Sequence, residues 1–343
     1  MSKPVPAAPA GRPVRRRASP VWSVLALLVA LPVAGFSMFR AIPVEWPLIV
    51  VQLVSFTPWL VVPAAVAFVL ALTGRRPFPA IATAALLAVQ LFWLFPLDYG
   101  RPAALRADAP PPVPVKVMTL NAEFGEADAG DIVRLVREND VDVLTIQEHT
   151  QGLEDRLGAA GLSGILPELL SDPNDDASGS ALYSKFPLEA VGQLPDTPFR
   201  MPVVRVAVGS SSAKAVLTVT SIHALPPVDE RIEQWRSDLA AIGLQASRPG
   251  HQLLMGDYNA TYDHAEFRQL LDGGTDGGKL VDVGVASGGR LQPTWPMEGP
   301  ALPGIVIDHV VTSPLVGSTG YSVHRVPGTD HAAIVATLTV PVS

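Results

Sequence analysis

Residues 252–259 read Gln-Leu-Leu-Met-Gly-Asp-Tyr-Asn. Gln252–Met255 has the length and apolar character of a buried strand, and Gly256 ends it. Asp257 and Asn259 follow two residues apart, so a strand-like period of two points both side chains to one side. A carboxylate beside an amide can hold a metal-bound water and a phosphoryl oxygen. Asp and Asn also end strands because they hydrogen-bond their own backbone. Taken alone, the stretch leaves a plain turn and a catalytic corner both open.

The same arrangement recurs on either side of it. Val115–Leu120 reads as a strand ending at Asn121, and Asp142–Ile146 as one ending at Gln147-Glu148. Val203–Val208 and Ala215–Ile222 read as a pair joined by Gly209–Ser212, the second ending at His223. Late strands are expected over Ile305–Val311, which carries Asp308-His309, and over Ile334–Val340, which follows Asp330-His331. Helical spacing runs over Ala129–Glu138 and Asp229–Ile242, with Asp229 a cap, and 171–180 is a polar loop. A carboxylate closing so apolar a strand as Val-Leu-Thr-Ile-Gln-Glu148 suits a hard cation, which prefers oxygen donors. An Asp that fixes a histidine tautomer yields a competent general base. Each of these is also an ordinary strand terminus when read singly; His149, His251, His264 and His324 are assigned to packing or surface roles. Many strands, few helices and polar strand ends suggest a two-sheet α/β sandwich with helices on the outer faces. Hydrophobic pattern does not choose this over other α/β layouts.

The N-terminal third is different. Three apolar stretches, about 20–39, 47–72 and 78–97, are each near the roughly 20 residues that cross a bilayer's hydrocarbon core. A cleaved signal peptide would account for the first alone. Arg12, Arg15, Arg16 and Arg17 precede the first stretch, and Arg75 and Arg76 lie between the second and third. The positive-inside rule therefore expects a cytoplasmic tail over 1–19 and everything after Tyr99 outside the cell. Pro58 and Pro63 kink the second span or are tolerated there. Residues 98–114, with Pro110–Pro112, read as a short, stiff linker, and 115–343 as an extracellular catalytic domain.

Residues 1–97 hold eight Lys/Arg and one acid, which leaves 17 Lys/Arg and 31 Asp/Glu in the remainder of a chain whose net charge is −7. A domain that acidic is a poor partner for a long polyanion, whose binding is driven by Lys/Arg. Nucleic acid is therefore disfavoured. The chain has no cysteine, which excludes disulfides, thiolate nucleophiles and thiolate zinc sites.

The ordered set Asn121, Gln147-Glu148, Ser221-Ile222-His223, Gly256-Asp257-Tyr258-Asn259, Thr294-Trp295, Ile307-Asp308-His309 and Asp330-His331 resembles the endonuclease/exonuclease/phosphatase superfamily over about residues 115–343. The resemblance implies a DNase I-like four-layer α/β sandwich, here preceded by three transmembrane helices. It also implies Mg2+-dependent attack of water on phosphorus, with Mn2+ the second choice of metal. In that picture Glu148 binds the metal with Asn121 and Asp330 close by, and Asp257 and Asn259 position the water and a phosphate oxygen. Asp308 orients His331, the base, and His223 neutralises charge on the phosphoryl group. Glu123 matches a second acid of some members only loosely. The whole layout is similar to VanJ-type, teicoplanin-resistance-associated membrane proteins.

These readings lead to a phosphohydrolase at the outer leaflet acting on a lipid-linked phosphate or pyrophosphate. Undecaprenyl pyrophosphate is the first candidate, with a contribution to glycopeptide resistance. Phe124, Phe199, Trp235 and Trp295 are apolar residues near the motifs that could meet a prenyl chain or pack in the core. An extracellular nuclease or sphingomyelinase-like phosphodiesterase shares every one of the site residues. A non-enzymatic membrane sensor is the third alternative, disfavoured because it has no need of a base and its orienting acid.

Overall fold

The structure is a computed structural model that describes residues 20–96, 109–210, 213–274, 278–299 and 303–342; the expected tail over 1–19 and most of the expected linker lie outside them. The chain divides into two units, Met1–Ser37 with Trp59–Phe95, and Met38–Pro58 with Pro96–Ser343.

Helices α1 (Pro20–Ala41), α3 (Val61–Gly74, preceded by a 3-10 turn Thr57–Leu60) and α4 (Pro77–Leu94), which make up the first unit apart from Met38–Ala41 and Thr57–Pro58, supply three helical stretches long and apolar enough to cross a membrane. Their buried faces carry small residues at helical spacing: Ser23, Ala26, Ala30 and Val33 on α1, and Ala64, Ala67, Ala71 and Gly74 on α3. Small side chains let helices approach closely where lipid offers no hydrophobic drive. Gln90 of α4 donates to Ser37 Oγ of α1 at 2.8 Å. The opposite faces expose Leu28, Leu31, Val62, Val66 and Val69. The second apolar stretch is not one span. It breaks after α2 (Leu48–Val54), and the long helix starts again at Thr57. Pro58 lacks the N–H a continuous helix needs there, whereas Pro63 sits in the first turn of α3 and does not interrupt it. Only the portion from Thr57 is a candidate span; α2 belongs to the second unit.

Among the described residues the second unit is built on twelve strands: β1 (Val113–Asn121), β2 (Val143–Gln147), β3 (Glu168–Asp172), β4 (Ser180–Ser184), β5 (Leu188–Gln193), β6 (Pro202–Ser210), β7 (Ala213–His223), β8 (His251–Asp257), β9 (Val281–Asp282), β10 (Asp308–Thr312), β11 (Gly317–Arg325) and β12 (Ala332–Val340). They form two six-stranded sheets, ordered β11-β12-β1-β2-β4-β3 and β5-β6-β7-β8-β10-β9. Helices α5 (Ala129–Asn139) and α6 (Gln151–Ala159) cover the first sheet, and α7 (Ile232–Ala246) and α8 (Ala265–Asp272) the second. A one-turn helix, α9 (Val283–Ala286), follows β9. This is the expected four-layer α/β sandwich.

Strand parity explains why one side of each sheet faces the other sheet. On β1, Val113, Val115 and Val117 join the core between the sheets, while Met118 and Leu120 face the helices. On β8, Leu253 and Met255 face inward and Leu254 outward. β1 begins at Val113, two residues before the expected domain start, and Pro114 pairs with Thr339 of β12. That is tolerated because β2 joins β1 only from Val117, so the missing N–H costs no ladder bond. Asp229 is not a helix cap. It has φ +54°, lies in the 3-10 turn Asp229–Arg231, and its carboxylate meets Arg231. The expected loop 171–180 is shortened by β3, and β10 starts only at Asp308.

Candidate active site

The inward alternation that is apolar in the middle of each strand turns polar at one end. Continuing β1 from Val117 gives Thr119 and Asn121, and β2 runs Val143, Thr145, Gln147. β7 runs Leu217, Val219, Ser221, His223, and β8 ends at Asp257. β1 and β2 are parallel, as are β7 and β8, so Asn121 lies opposite Gln147 and His223 opposite Asp257. Antiparallel β10 places Asp308 opposite Asp257. The strand ends therefore converge on one rim of the inter-sheet cleft. Gly256 is required for the approach. It has φ +146°, and a Cβ on it would lie 2.0 Å from the Ile222 carbonyl oxygen.

The side chains brought together form a connected set. Asn121 Nδ2 donates to Glu148 Oε1 and to Asp257 Oδ2, both at 3.1 Å. Glu148 also accepts from the Phe124 N–H at 2.8 Å. His331 Nδ1 faces both Asp308 oxygens at 3.1 and 2.9 Å, and its Nε2 lies 3.8 Å from Asp257 and 3.8 Å from Asp330. His223 Nε2 is 3.7 Å from Glu148 and 4.0 Å from Asp257. Asn259 donates its N–H to Asp257 Oδ1 at 2.7 Å and its amide to the Ala224 carbonyl at 2.9 Å. Asp330 accepts from Trp295 Nε1 at 2.7 Å, and its N–H donates to Glu123 at 2.6 Å. All eight expected site residues thus share one rim.

Several side chains not expected from sequence complete it. Thr329 donates to the Asn121 carbonyl and accepts from the His331 N–H, tying β1 to the Asp-His pair. Ser180 donates to Ser221 Oγ, which also receives Gln147 Nε2. Thr329 stands next to the Asp330-His331 motif, a signal that could have found it; Ser180 has no such neighbour. Phe199 stacks on His223 with ring centroids 4.3 Å apart, and Phe124 is exposed beside Glu148. Trp235 is wholly buried and donates to the Tyr258 carbonyl, so it is core rather than a substrate contact. His149 is buried against Tyr183 and Glu154. His309 pairs with Asp282 at 2.9 Å, behind the site.

Four of the eight non-glycine residues with positive φ among the described residues are Glu123, Phe124, Glu148 and Asn259. Such conformations each cost about 1–3 kcal/mol and persist only where the surroundings over-determine them. Their concentration here marks the rim as the place where the fold holds strain.

The electrostatics are those of crowded carboxylates. Burial raises Glu148. Burial, then the neighbouring Asp308, pushes Asp257 up to about 7. Burial lowers His331, but Asp308 and Asp257 outweigh it and raise the ring to about 10. His223 is different: burial, then the charge on His331, takes it down to about 3. It is therefore a neutral ring offering a hydrogen bond, not the positive charge expected of it. Asp257, Asp308 and His331 present ligand atoms within 4.8 Å of one another and could hold a metal ion. His331 Nδ1 lies 2.9 Å from Asp308 Oδ2, however, an arrangement suited to acid–base chemistry. The oxygen donors of Glu148, Asn121 and Asp330 better fit a hard divalent cation, whose charge would relieve the buried carboxylates.

The endonuclease/exonuclease/phosphatase family profile matches residues 118–331. The chain belongs to that family. Members of the family are hydrolases of phosphoester bonds. No curated protein sequence matches. Among solved structures, a humanized D. rerio TDP2 carrying 14 mutations is 15% identical with a TM-score of 0.51, covering 66% of this chain and 99% of its own. An AP endonuclease from Archaeoglobus fulgidus is 14% identical with a TM-score of 0.51, covering 65% of this chain and 98% of its own. At these identities the likeness establishes the fold alone.

Proposed function

We propose that this chain is a membrane-anchored, Mg2+-dependent phosphohydrolase facing the outer leaflet. Its substrate is a lipid-linked pyrophosphate, undecaprenyl pyrophosphate first, and carrier release there contributes to glycopeptide resistance of the teicoplanin type. The observation that carries the reading is the dyad of His331 and Asp308 at 2.9 Å beside a buried carboxylate cluster, in a chain with three candidate membrane spans. The outward orientation is supported by the basic flanks, and the three-span count by residues 38–58, the connection after the first span, which pack with residues 96–343 in one unit. The two segments thus share one side of the bilayer, as an odd number of spans requires.

Mg2+ bound by Glu148, with Asn121 and Asp330 beside it, would polarise the phosphoryl group and weaken the carboxylate field that holds the proton on His331. His331 Nε2 takes the proton of the attacking water, while Nδ1–H stays on Asp308 and fixes the tautomer. Asp257 and Asn259 orient that water and a phosphoryl oxygen, and His223 donates a hydrogen bond to another. Water oxygen bonds to phosphorus, the P–O–P bond breaks, and inorganic phosphate leaves prenyl phosphate behind. Phe124, Phe199 and Trp295 supply apolar surface beside the reacting group.

The test is phosphate release from undecaprenyl or farnesyl pyrophosphate in detergent, with Mg2+ and with EDTA, for wild type and His331→Ala. Mg2+-dependent release that disappears in the variant is expected. A wild type that releases no phosphate from prenyl pyrophosphates sinks the substrate. Cleavage of plasmid or single-stranded DNA, lost in His331→Ala, would instead promote the nuclease reading, which the acidity of the domain opposes.

A further inference from the structure

The segment joining the first span to α2 is built into the hydrolase unit. Arg40, one residue from the end of α1, places Nε 2.6 Å from Asp263 Oδ1. Arg290 reaches the same carboxylate from the other side, with Nη2 at 2.9 and 3.0 Å from its two oxygens. All three side chains are buried. Burial pushes Asp263 up, and Arg290 and Arg40 together pull it below the usual carboxylate range. Arg268 Nη2 donates to the Arg40 carbonyl at 3.1 Å, and its Nη1 to the Asp263 carbonyl. His264 Nδ1 accepts the Thr261 N–H at 2.8 Å, which leaves Nε2–H to donate to the Val51 carbonyl at 2.9 Å. Gln52 donates to the Pro227 carbonyl at 3.2 Å. Trp46, Leu48 and Val51 pack into the core under α7 and α8.

Two loops receive these contacts; one carries Asn259 and the other follows directly on His223. The loop from Tyr258 to His264 starts with Asn259, at φ +48°, and ends in Asp263 and His264. The loop after His223 runs through Ala224 and Pro227, and the Asn259 amide bonds to the Ala224 carbonyl. A strained Asn259 stays in place only if both ends of its short loop are held. β8 holds one end. At the other, Arg290 and Arg40 share the Asp263 carboxylate and the Val51 carbonyl receives His264, so two of the contacts come from residues more than 200 positions earlier.

We infer that Arg40 is a positioning residue that fixes Asn259 through Asp263, so that the connection between the first span and α2 is part of the hydrolytic machinery. The inference rests on the phosphohydrolase reading above. A structural staple alone would lower the folded fraction without changing turnover per folded molecule. A positioning residue lowers turnover itself, and does so only while Asn259 is there to be positioned.

The experiment is a double-mutant cycle on the full-length protein in detergent, using Mg2+ with farnesyl pyrophosphate and with bis(p-nitrophenyl) phosphate, a soluble phosphodiester. The variants are Arg40→Gln, Arg40→Lys, Asn259→Ala and the double variants. Expected is a fall of about tenfold in kcat per folded molecule for Arg40→Gln, with KM within about twofold, and substantial rescue by Arg40→Lys. In the Asn259→Ala background the same Arg40 change should cost less than about twofold. An unchanged kcat in Arg40→Gln, or an equal loss with and without Asn259, overturns the inference. If Arg40→Gln does not fold, Arg40→Lys carries the same cycle, with its own partial loss disappearing when Asn259 is absent. Hydrogen exchange separates the two readings should wild type hydrolyse neither substrate. Faster exchange confined to amides 258–264, with 117–121 and 143–147 unchanged, supports the positioning role. A uniform rise, or none, rejects it.

Discussion

Gly256→Ala should cripple the protein for a reason visible in its backbone. A Cβ at this position lies 2.0 Å from the Ile222 oxygen, 2.9 Å from the Ile222 carbonyl carbon and 2.9 Å from Gln147 Nε2. Two of these atoms are backbone of the neighbouring strand β7, which cannot swing aside as a side chain can. φ of +146° adds a conformation that L-residues avoid. The strained dihedral costs about 1–3 kcal/mol, and forcing extra volume into a packed site about another 1–3 kcal/mol. The sum is about 2–6 kcal/mol, against a total stability on the order of 5–15 kcal/mol. At roughly 2–4 °C per kcal/mol for a domain above 150 residues, Tm should fall by roughly 4–24 °C. Thermal unfolding of the full-length protein in detergent, followed by tryptophan fluorescence, measures it. Activity has its own signature. Ile222 pairs with Gly256 and His223 with Asp257, so separating β7 from β8 displaces His223 from Asp257, and a shift of about 1 Å can cost about 100-fold in rate. Gly158, inside α6, has only open space where a Cβ would stand and is the control; alanine there should be neutral or stabilise by up to about 1 kcal/mol. If Gly256→Ala melts within about 2 °C of wild type, close approach of β8 to the Ile222 carbonyl is not what sets the site's geometry.

Asp308→Asn removes the charge that fixes His331 and should lower phosphate release by about 100- to 10,000-fold, with His331→Ala adding little in the same background; additive losses would show that the two do not act as a pair. Trp295→Phe deletes the indole N–H on Asp330 and should raise the Mg2+ concentration for half-maximal rate by about tenfold, an effect read from a metal titration at saturating substrate. His309 is raised by Asp282, which outweighs its burial. A raised histidine contributes stability that is full below its unfolded value of about 6.5 and is lost as pH climbs through the folded value. The Tm gap between wild type and His309→Gln should therefore be widest near pH 6 and narrow on the alkaline side, and a gap independent of pH rejects the imidazolium.

Much of the site was legible because it is local chemistry repeated at strand ends. Asn121, Gln147, His223 and Asp257 each close an apolar run whose parity already says which face is buried, and only their convergence needed the fold. Most of what stayed hidden had no local signature. β5 is largely exposed along Leu188–Gln193, and β11 is half-buried along most of its length, so neither carries the alternation that marks a strand. Ser180 acts through Ser221, and Thr329 joins the Asp-His pair to the Asn121 carbonyl, partners 41 and 208 positions away in sequence. The second apolar stretch misled for a physical reason: continuous hydropathy does not distinguish a span from a short helix packed under a domain, and α2 is the latter. The charge-neutralising role of His223 came from the family resemblance, and its burial, which with the charge on His331 takes the ring down to about 3, is a property of the fold.

The same limit explains Arg40. In sequence it is one arginine just past an apolar stretch, five residues before Glu45, and nothing beside it points to a partner. In the fold it is a buried partner of Asp263, and a flank has no reason to be buried. Placing a guanidinium out of water is costly unless a carboxylate meets it, so the pair holds together only if the last turn of α1 and the loop behind Asn259 keep a fixed relation. Building the connection after the first span into the wall behind Asn259 ties the end of that helix to the catalytic loop, which is why the variant at Arg40 is expected to move turnover and not stability alone.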